Sequence, residues 1–121
     1  MRIDPHTHSA CSDGTDSPAD LMAAAARASL DVVGLTDHDT TAGWAEAAAA
    51  VADTGVALLR GAEISCSDDG VTLHLLAYLF DPDDAALTAA LEEVRASRAG
   101  RGERMVERLA ADYPITWSDV A

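Results

Sequence analysis

His6-Thr7-His8 sets two imidazoles one residue apart, directly after the short opening Arg2-Ile3-Asp4-Pro5. Side chains alternate along an extended backbone, so the two rings share one side of it. Imidazole is the commonest protein ligand for zinc-like ions, and carboxylate suits the harder ones. Asp13, in a Ser-Asp-Gly turn five residues after His8, is near enough to fold back toward the pair. Taken alone, His-x-His also describes a polar strand end that happens to contain histidine. The rest of the chain extends the pattern. His38 stands in Thr36-Asp37-His38-Asp39 after the run Val32-Val33-Gly34-Leu35, Glu63 follows Leu58-Leu59-Arg60-Gly61-Ala62, and His74 lies within the apolar stretch from Val71 to Leu79. All four histidines of the chain therefore fall in or just beyond strand-like segments. In α/β sheets and barrels, functional groups collect at the carboxyl ends of strands. His74, with apolar neighbours on both sides, would by itself read as a satisfied core group; its agreement with the other motifs makes it a ligand candidate.

The elements that must position these residues follow from periodicity and punctuation. Residues 2–5 make a short first strand. Ser17-Pro18-Ala19-Asp20 opens a helix, with Ser17 as N-cap, proline at the first helical position and Asp20 as capping acid. It runs to about Ser29 with Leu21, Met22, Ala25 and Ala26 inward. The run from Val32 to Thr36 reads as a buried strand. Thr40 or Thr41 caps a second helix through about Asp53, ending at Gly55, and its Trp44 belongs to the core or its rim. Val56 to Ser65 is a third buried strand, Asp68-Asp69-Gly70 a turn, and Val71 to Phe80 a further strand. The β-α-β-α-β order predicts parallel strands with right-handed crossovers, the first part of a barrel.

Beyond Asp81-Pro82 the pattern becomes helical. Residues 83–98 and 101–112 read as two amphipathic helices parted near Gly100 and Gly102, with Leu87, Leu91 and Val94, then Met105, Val106 and Leu109, as apolar stripes. Arg95, Arg98, Arg101, Arg104 and Arg108 either face a phosphate or pair with Glu92, Glu93, Glu103 and Glu107 on the helix surface. Trp117-Ser118-Asp119 looks like entry into another helix.

A formal charge of −13, from 21 acids against 8 basic residues, argues against broad nucleic-acid binding, because phosphate backbones are held by Lys and Arg. Any phosphate substrate would have to be attracted by locally bound metal charge. Cys11 and Cys66 are expected to be reduced thiols, although Cys11 lies between ligand candidates. No basic start followed by an apolar run opens the chain, and its apolar helices are alanine-rich and interrupted by charge. The expectation is a soluble, cytoplasmic protein of one domain with no membrane contact.

The stretches DPHTHSACSDGTDSP, LDVVGLTDHDTT, GAEISC and HLLAYLF, in this order and spacing, resemble the PHP (polymerase and histidinol phosphatase) family of metal-dependent phosphoesterases. The resemblance spans essentially the whole chain. It looks most similar to the stand-alone members that act on small nucleotides, such as 3',5'-nucleoside bisphosphate phosphatases. The likeness implies an α/β fold, the N-terminal part of a distorted TIM-like barrel over residues 1–82, with the start of a helical insertion over residues 83–121.

The same resemblance implies metal-ligand roles for His6, His8, Asp13, His38, Glu63 and His74, with Glu63 bridging. Glu63, His38 and Asp13 would carry the catalysis. Asp37 and Asp39 would orient His38 or a bound water. Pro5 stands where the family usually has leucine. Two or three divalent ions are implied for the complete family site, and the mixed nitrogen and oxygen donors suit manganese, iron or zinc. Metal-activated water would hydrolyse a phosphomonoester on a small nucleotide. Family members also draw a further His, an Asp and another His from later strands, which are not among these residues, so one copy of this stretch is not expected to assemble the full cluster. Two consequences follow as expectations: open strand edges that favour a homo-oligomer, and the alternative of a noncatalytic metal-binding or structural module.

Overall fold

The computed structural model describes residues 1–120. Two compact units divide the chain, Met1–Asp84 and Ala85–Ala121. The first is built on a four-stranded sheet in the order β1 (Ile3–Thr7), β2 (Val32–Leu35), β3 (Ala57–Asp68), β4 (Val71–Tyr78). β1, β2 and β3 are parallel neighbours, with Ile3 opposite Val32 and Val32 opposite Ala57. This is the expected α/β arrangement, and it corresponds to the opening strands of a TIM-like barrel. β4 instead returns antiparallel to β3, with Asp68 opposite Val71. The reason is local. Asp69 and Gly70 both have positive φ, 46° and 81°, the signs needed in a two-residue hairpin turn whose twist matches the strands.

β1 lies at a sheet edge, where proline is tolerated because no ladder donor is needed on its open side. The pairing with β2 is irregular between Asp4 and Thr7, the interval that contains Pro5. Gly34 lets the two backbones close here: a Cβ on it would lie 2.2 Å from the Pro5 carbonyl oxygen. Beyond the irregularity, Thr36 N–H and Thr36 Oγ1 both donate to the Thr7 carbonyl, and Thr7 Oγ1 donates to the Gly34 carbonyl. The end of β1 is thereby tied to the end of β2.

Helix α1 (Pro18–Arg27) starts as the sequence predicts, with the Ser17 side chain accepting from Asp20 N–H and Pro18 in the first turn. Its end falls at Arg27, two residues short of the expected Ser29, which has φ 56° and leaves the helical region. The second helix begins later than expected and is broken, as α2 (Trp44–Ala49) and α3 (Val51–Thr54). Thr40 does not cap it; its Oγ1 accepts from Ala42 N–H in a preceding turn. Asp37 and His38 run alongside β3 and Asp39, still bonded to Glu63, turns away at φ 54°, so helix cannot start until this segment has turned. Gly55, at φ 70°, ends α3.

The core lies between these helices and the sheet: Met22, Ala25, Val33, Leu35, Trp44, Ala47 and Val56, with Leu21, Leu58 and Phe80 packed against it. Small alanine faces let the helices approach closely. Trp44 fills the gap they leave, stacking 5.0 Å from the Phe80 ring centroid and donating Nε1–H to the Gly61 carbonyl. It is a core residue. On β4, by contrast, Val71, Leu73 and Leu75 lie exposed on one face of the strand.

The second unit holds α4 (Ala85–Leu109) and a 3-10 turn at Trp117–Asp119. The expected pair of helices is one helix. Gly100 and Gly102 each cost only about 1 kcal/mol relative to alanine, and no proline or capping residue stands between them to enforce a break. Trp117 packs over Gly102, where a Cβ would lie 3.2 Å from its ring. The Trp117 turn is closed by Thr116 and Asp119 in a reciprocal cap. No helix among the described residues is long and apolar enough to cross a membrane.

Candidate metal centre

Four imidazoles converge on one buried carboxylate. Glu63 lies in the middle of β3 with a side chain only 8% exposed. Its Oε2 is 2.8 Å from His6 Nε2 and 2.9 Å from His8 Nε2. Its Oε1 is 2.6 Å from His74 Nδ1. The two oxygens thus face different partners. His6 and His8 come from β1 and the residue after it, and period-two alternation turns both toward Glu63. His74 is not opposite Glu63; Leu76 is, and Ser65 faces His74. Residues two apart on a strand share a face, so His74 reaches Glu63 diagonally.

His38 enters from the segment after β2, which continues parallel to β3 through a bridge between His38 and Glu63. Glu63 N–H donates to the Asp37 carbonyl, and Asp39 N–H donates to the Glu63 carbonyl. His38 Nε2 stands 3.6 Å from Asp13 Oδ2 and 3.7 Å from Glu63 Oε2, too far for hydrogen bonds. Asp13 projects from the loop after β1 and is mostly exposed, with Oδ1 3.0 Å from His8 Nδ1. Ring centroids step from His6 to His8 at 5.1 Å, to His38 at 4.6 Å and to His74 at 5.0 Å.

All six sequence-predicted ligands are therefore brought into one cluster. Three groups of donors lie within 4.8 Å of one another: His6, His8 and Glu63; His8, Asp13 and His38; His38, Glu63 and His74. Two ligands each roughly 2.0–2.2 Å from a shared ion stand about 3 Å apart or slightly more, so the spacings suit divalent ions. The donor chemistry agrees, since imidazole nitrogen and carboxylate oxygen together suit first-row metals. Burial pushes the Glu63 carboxyl up, yet the His6 hydrogen bond, the His38 charge and the His74 hydrogen bond outweigh it and hold the group below its ordinary value. A carboxylate kept ionised in a buried place is what a cation site needs.

Asp37 and Asp39 accept hydrogen bonds from the loop after β1 and from β3. Neither oxygen of Asp37 bonds His38. Asp37 Oδ1 accepts from Ser9 N–H and Ser12 Oγ, and Oδ2 accepts from Ser9 Oγ. Asp39 Oδ1 accepts from Ser65 N–H, two residues past Glu63. His38 Nδ1 is buried with no hydrogen-bond partner among the described residues. Ser9 and Ser12 are the residues the sequence did not single out for this purpose. Their signal is their place between the candidate ligands His8 and Asp13, where hydroxyls can hold a loop without competing for a metal.

Comparison with known proteins extends these observations. The PHP domain matches residues 4–100. A 3',5'-nucleoside bisphosphate phosphatase of Chromobacterium violaceum is 41% identical over 97% of this chain and 44% of its own length. A 5'-3' exoribonuclease of Haemophilus influenzae is 36% identical over 89% of this chain and 39% of its own. The chain thus spans less than half the length of these curated relatives. Among solved structures, a candidate metal-dependent phosphoesterase from Bifidobacterium adolescentis superposes with a TM-score of 0.93 at 44% identity, covering 99% of this chain and 42% of that one. With the strand order, the ordered motifs and the donor cluster falling inside the matched span, the chain belongs to the PHP domain family.

Proposed function

We propose that this chain carries the N-terminal part of a metal-dependent phosphoesterase that hydrolyses a phosphomonoester of a small nucleotide, such as a nucleoside 3',5'-bisphosphate. The observation that carries the reading is Glu63, whose two carboxylate oxygens face His6 and His8 on one side and His74 on the other. His6, His8 and Glu63 would hold one divalent ion, Glu63, His38 and His74 a second, and Asp13 with His38 a third position. Bound there, such ions supply a water acidic enough to attack near neutral pH and positive charge opposite the phosphoryl oxygens. Glu63, common to both groups, would be shared by the first two positions. Asp13, exposed at the edge of the cluster, orients His8 through Nδ1 while its second oxygen faces His38. The reaction breaks the bond from phosphorus to the nucleoside oxygen, joins the water oxygen to phosphorus and leaves a proton on the departing hydroxyl.

The phosphatase relative supports a nucleotide monoester, and the formal charge of −13 favours a small substrate over a long polynucleotide held by its backbone. Residues 83–121 belong to this reading as the start of a helical insertion. The test is phosphate release by the full-length polypeptide with manganese, offered a nucleoside 3',5'-bisphosphate, a nucleoside 5'-monophosphate and a 5'-phosphorylated oligoribonucleotide. The expected order of turnover has the bisphosphate first. Nucleotide release from the oligoribonucleotide alone would replace this substrate with an RNA end, and no turnover of any ester would favour a noncatalytic module.

A further inference from the structure

The loop that carries Asp13 has no strand to hold it. Residues 8–16 leave the sheet after β1, and Asp13 itself is 65% exposed on its side chain. The loop is wound on Ser9. The Ser9 carbonyl accepts from Ser12 N–H and Gly14 N–H, Ser9 Oγ accepts from Cys11 N–H, and Ala10 N–H donates to the Asp16 carbonyl. Ser9, fully buried, is in turn gripped by Asp37, which is 1% exposed. Asp37 takes three hydrogen bonds of 2.7 Å, from Ser9 N–H, Ser9 Oγ and Ser12 Oγ. All three donors lie in this loop, and two of them are on the residue at its hub.

We infer that Asp37 is a positioning residue for the metal centre, one that sets Asp13 against His38 through the loop and leaves His6 and Glu63 to the sheet. The division follows from what anchors each ligand. His6, Glu63 and His74 sit on paired strands, and His38 is bridged to β3. His8 opens the loop but follows directly on Thr7, whose carbonyl accepts from Thr36 N–H and Oγ1; Asp13 lies well inside the loop, and the loop depends on Asp37. Two oxygens satisfying three donors is work for a carboxylate, since hydrogen bonds to an ionised acceptor are roughly twice as strong as neutral ones. Asparagine keeps the shape but offers one acceptor oxygen and turns an N–H₂ toward Ser9 Oγ. Asp13 would then be held less firmly. Groups that orient a ligand without touching the ion typically contribute roughly 10- to 100-fold in metal affinity.

This inference rests on the metal-centre reading above, and its test separates the two. The metal-free full-length protein is titrated calorimetrically with manganese as wild type, Asp37→Asn and Ser12→Ala, and the thermal melt of each metal-free form is recorded. Ser12→Ala removes one of the three donors from a partly exposed residue whose Oγ also lies 3.3 Å from Asp13 Oδ1 and 3.4 Å from His8 Nδ1, so it loosens the same loop contact if Asp37→Asn folds poorly. Expected is selective weakening: one manganese position loses roughly 10-fold or more in affinity in both variants, while the tightest position and the metal-free melting temperature stay as in wild type. Undiminished binding at every position in both variants would overturn the inference. So would equal loss at all positions together with a lowered metal-free melt, which marks a purely structural role. A wild-type protein that takes up no manganese would reject the metal centre itself.

Discussion

Glu63 and His74 meet across the β3–β4 hairpin at 2.6 Å, Oε1 to Nδ1, although Leu76 is the residue paired with Glu63. Their meeting depends on hairpin register. A slip of one residue would turn His74 to the opposite face of β4, with Val71, Leu73 and Leu75. The Asp69-Gly70 turn therefore helps to set the His–Glu donor cluster from a distance. His6 and His8 are set differently, by alternation along β1 on the other side of Glu63.

Metal uptake should follow this geometry. His6→Ala combined with His8→Ala removes two of the three donors around Glu63 Oε2, and elemental analysis after manganese loading should find that position empty. His74→Ala removes one donor from a different group and should lower the ion count without abolishing binding. Full retention of metal by the double variant would reject the site.

Two glycines hold backbone approaches that no side chain can share. At Gly34 a Cβ would lie 2.2 Å from the Pro5 carbonyl oxygen, and at Gly14 it would lie 2.4 Å from the His8 carbonyl oxygen. Gly34→Ala should destabilise the fold by about 1–3 kcal/mol or more, the usual range for overpacking, as read by urea unfolding. Gly14→Ala should shift the ligand loop away from His8 and weaken metal uptake. Wild-type behaviour of both variants would mean that the strands and the loop lie farther apart.

Trp44→Phe keeps an aromatic ring beside Phe80 but leaves the buried Gly61 carbonyl without its Nε1–H donor. The expected loss is about 1–3 kcal/mol, the cost of an unsatisfied buried polar group. Gly61 is two residues before Glu63, so this variant also tests how firmly β3 is held beneath the cluster. An unchanged denaturation midpoint would place the tryptophan bond outside the folding energetics.

The metal-free protein should lose stability in acid through Glu63. Its carboxyl is held below the ordinary glutamate value in the fold, so the unfolded chain takes up the proton first. The contribution is present above the unfolded pKa, roughly 4.3, and is lost as pH falls through the lower folded value. Stability measured against pH should fall more steeply over that window in wild type than in Glu63→Gln. Parallel curves would show that the histidines do not favour the ionised carboxylate.

The site was more legible in this sequence than the scaffold was. Candidate ligands are conspicuous because few side chain types bind metals, and His6, His8, Asp13, His38, Glu63 and His74 stand in or just beyond strand-like segments. The first three strands were equally plain from their apolar runs. The helix beyond residue 83 is single where its sequence suggests two, because the helix formers on both sides of Gly100 and Gly102 outweigh a glycine's local cost. The late start of α2 has another cause: residues 37–39 are held by long-range bonds to β3 that outweigh threonine's capping preference. The same kind of long-range bond gives Asp37 its partners Ser9 and Ser12, which its adjacency to His38 does not reveal.

The most direct measurement is phosphate release from a nucleoside 3',5'-bisphosphate as manganese is added to metal-free full-length protein, wild type beside Glu63→Gln. Activity in wild type should be absent without metal and rise to saturation as ions fill the cluster. Glu63→Gln keeps the volume of the side chain but removes the charge that faces both donor groups. It should reduce turnover at saturating substrate by at least about 100-fold, since small misplacements of reacting groups already cost that much. Turnover that ignores added and removed metal, or that survives in Glu63→Gln, would contradict a metal centre organised on this carboxylate.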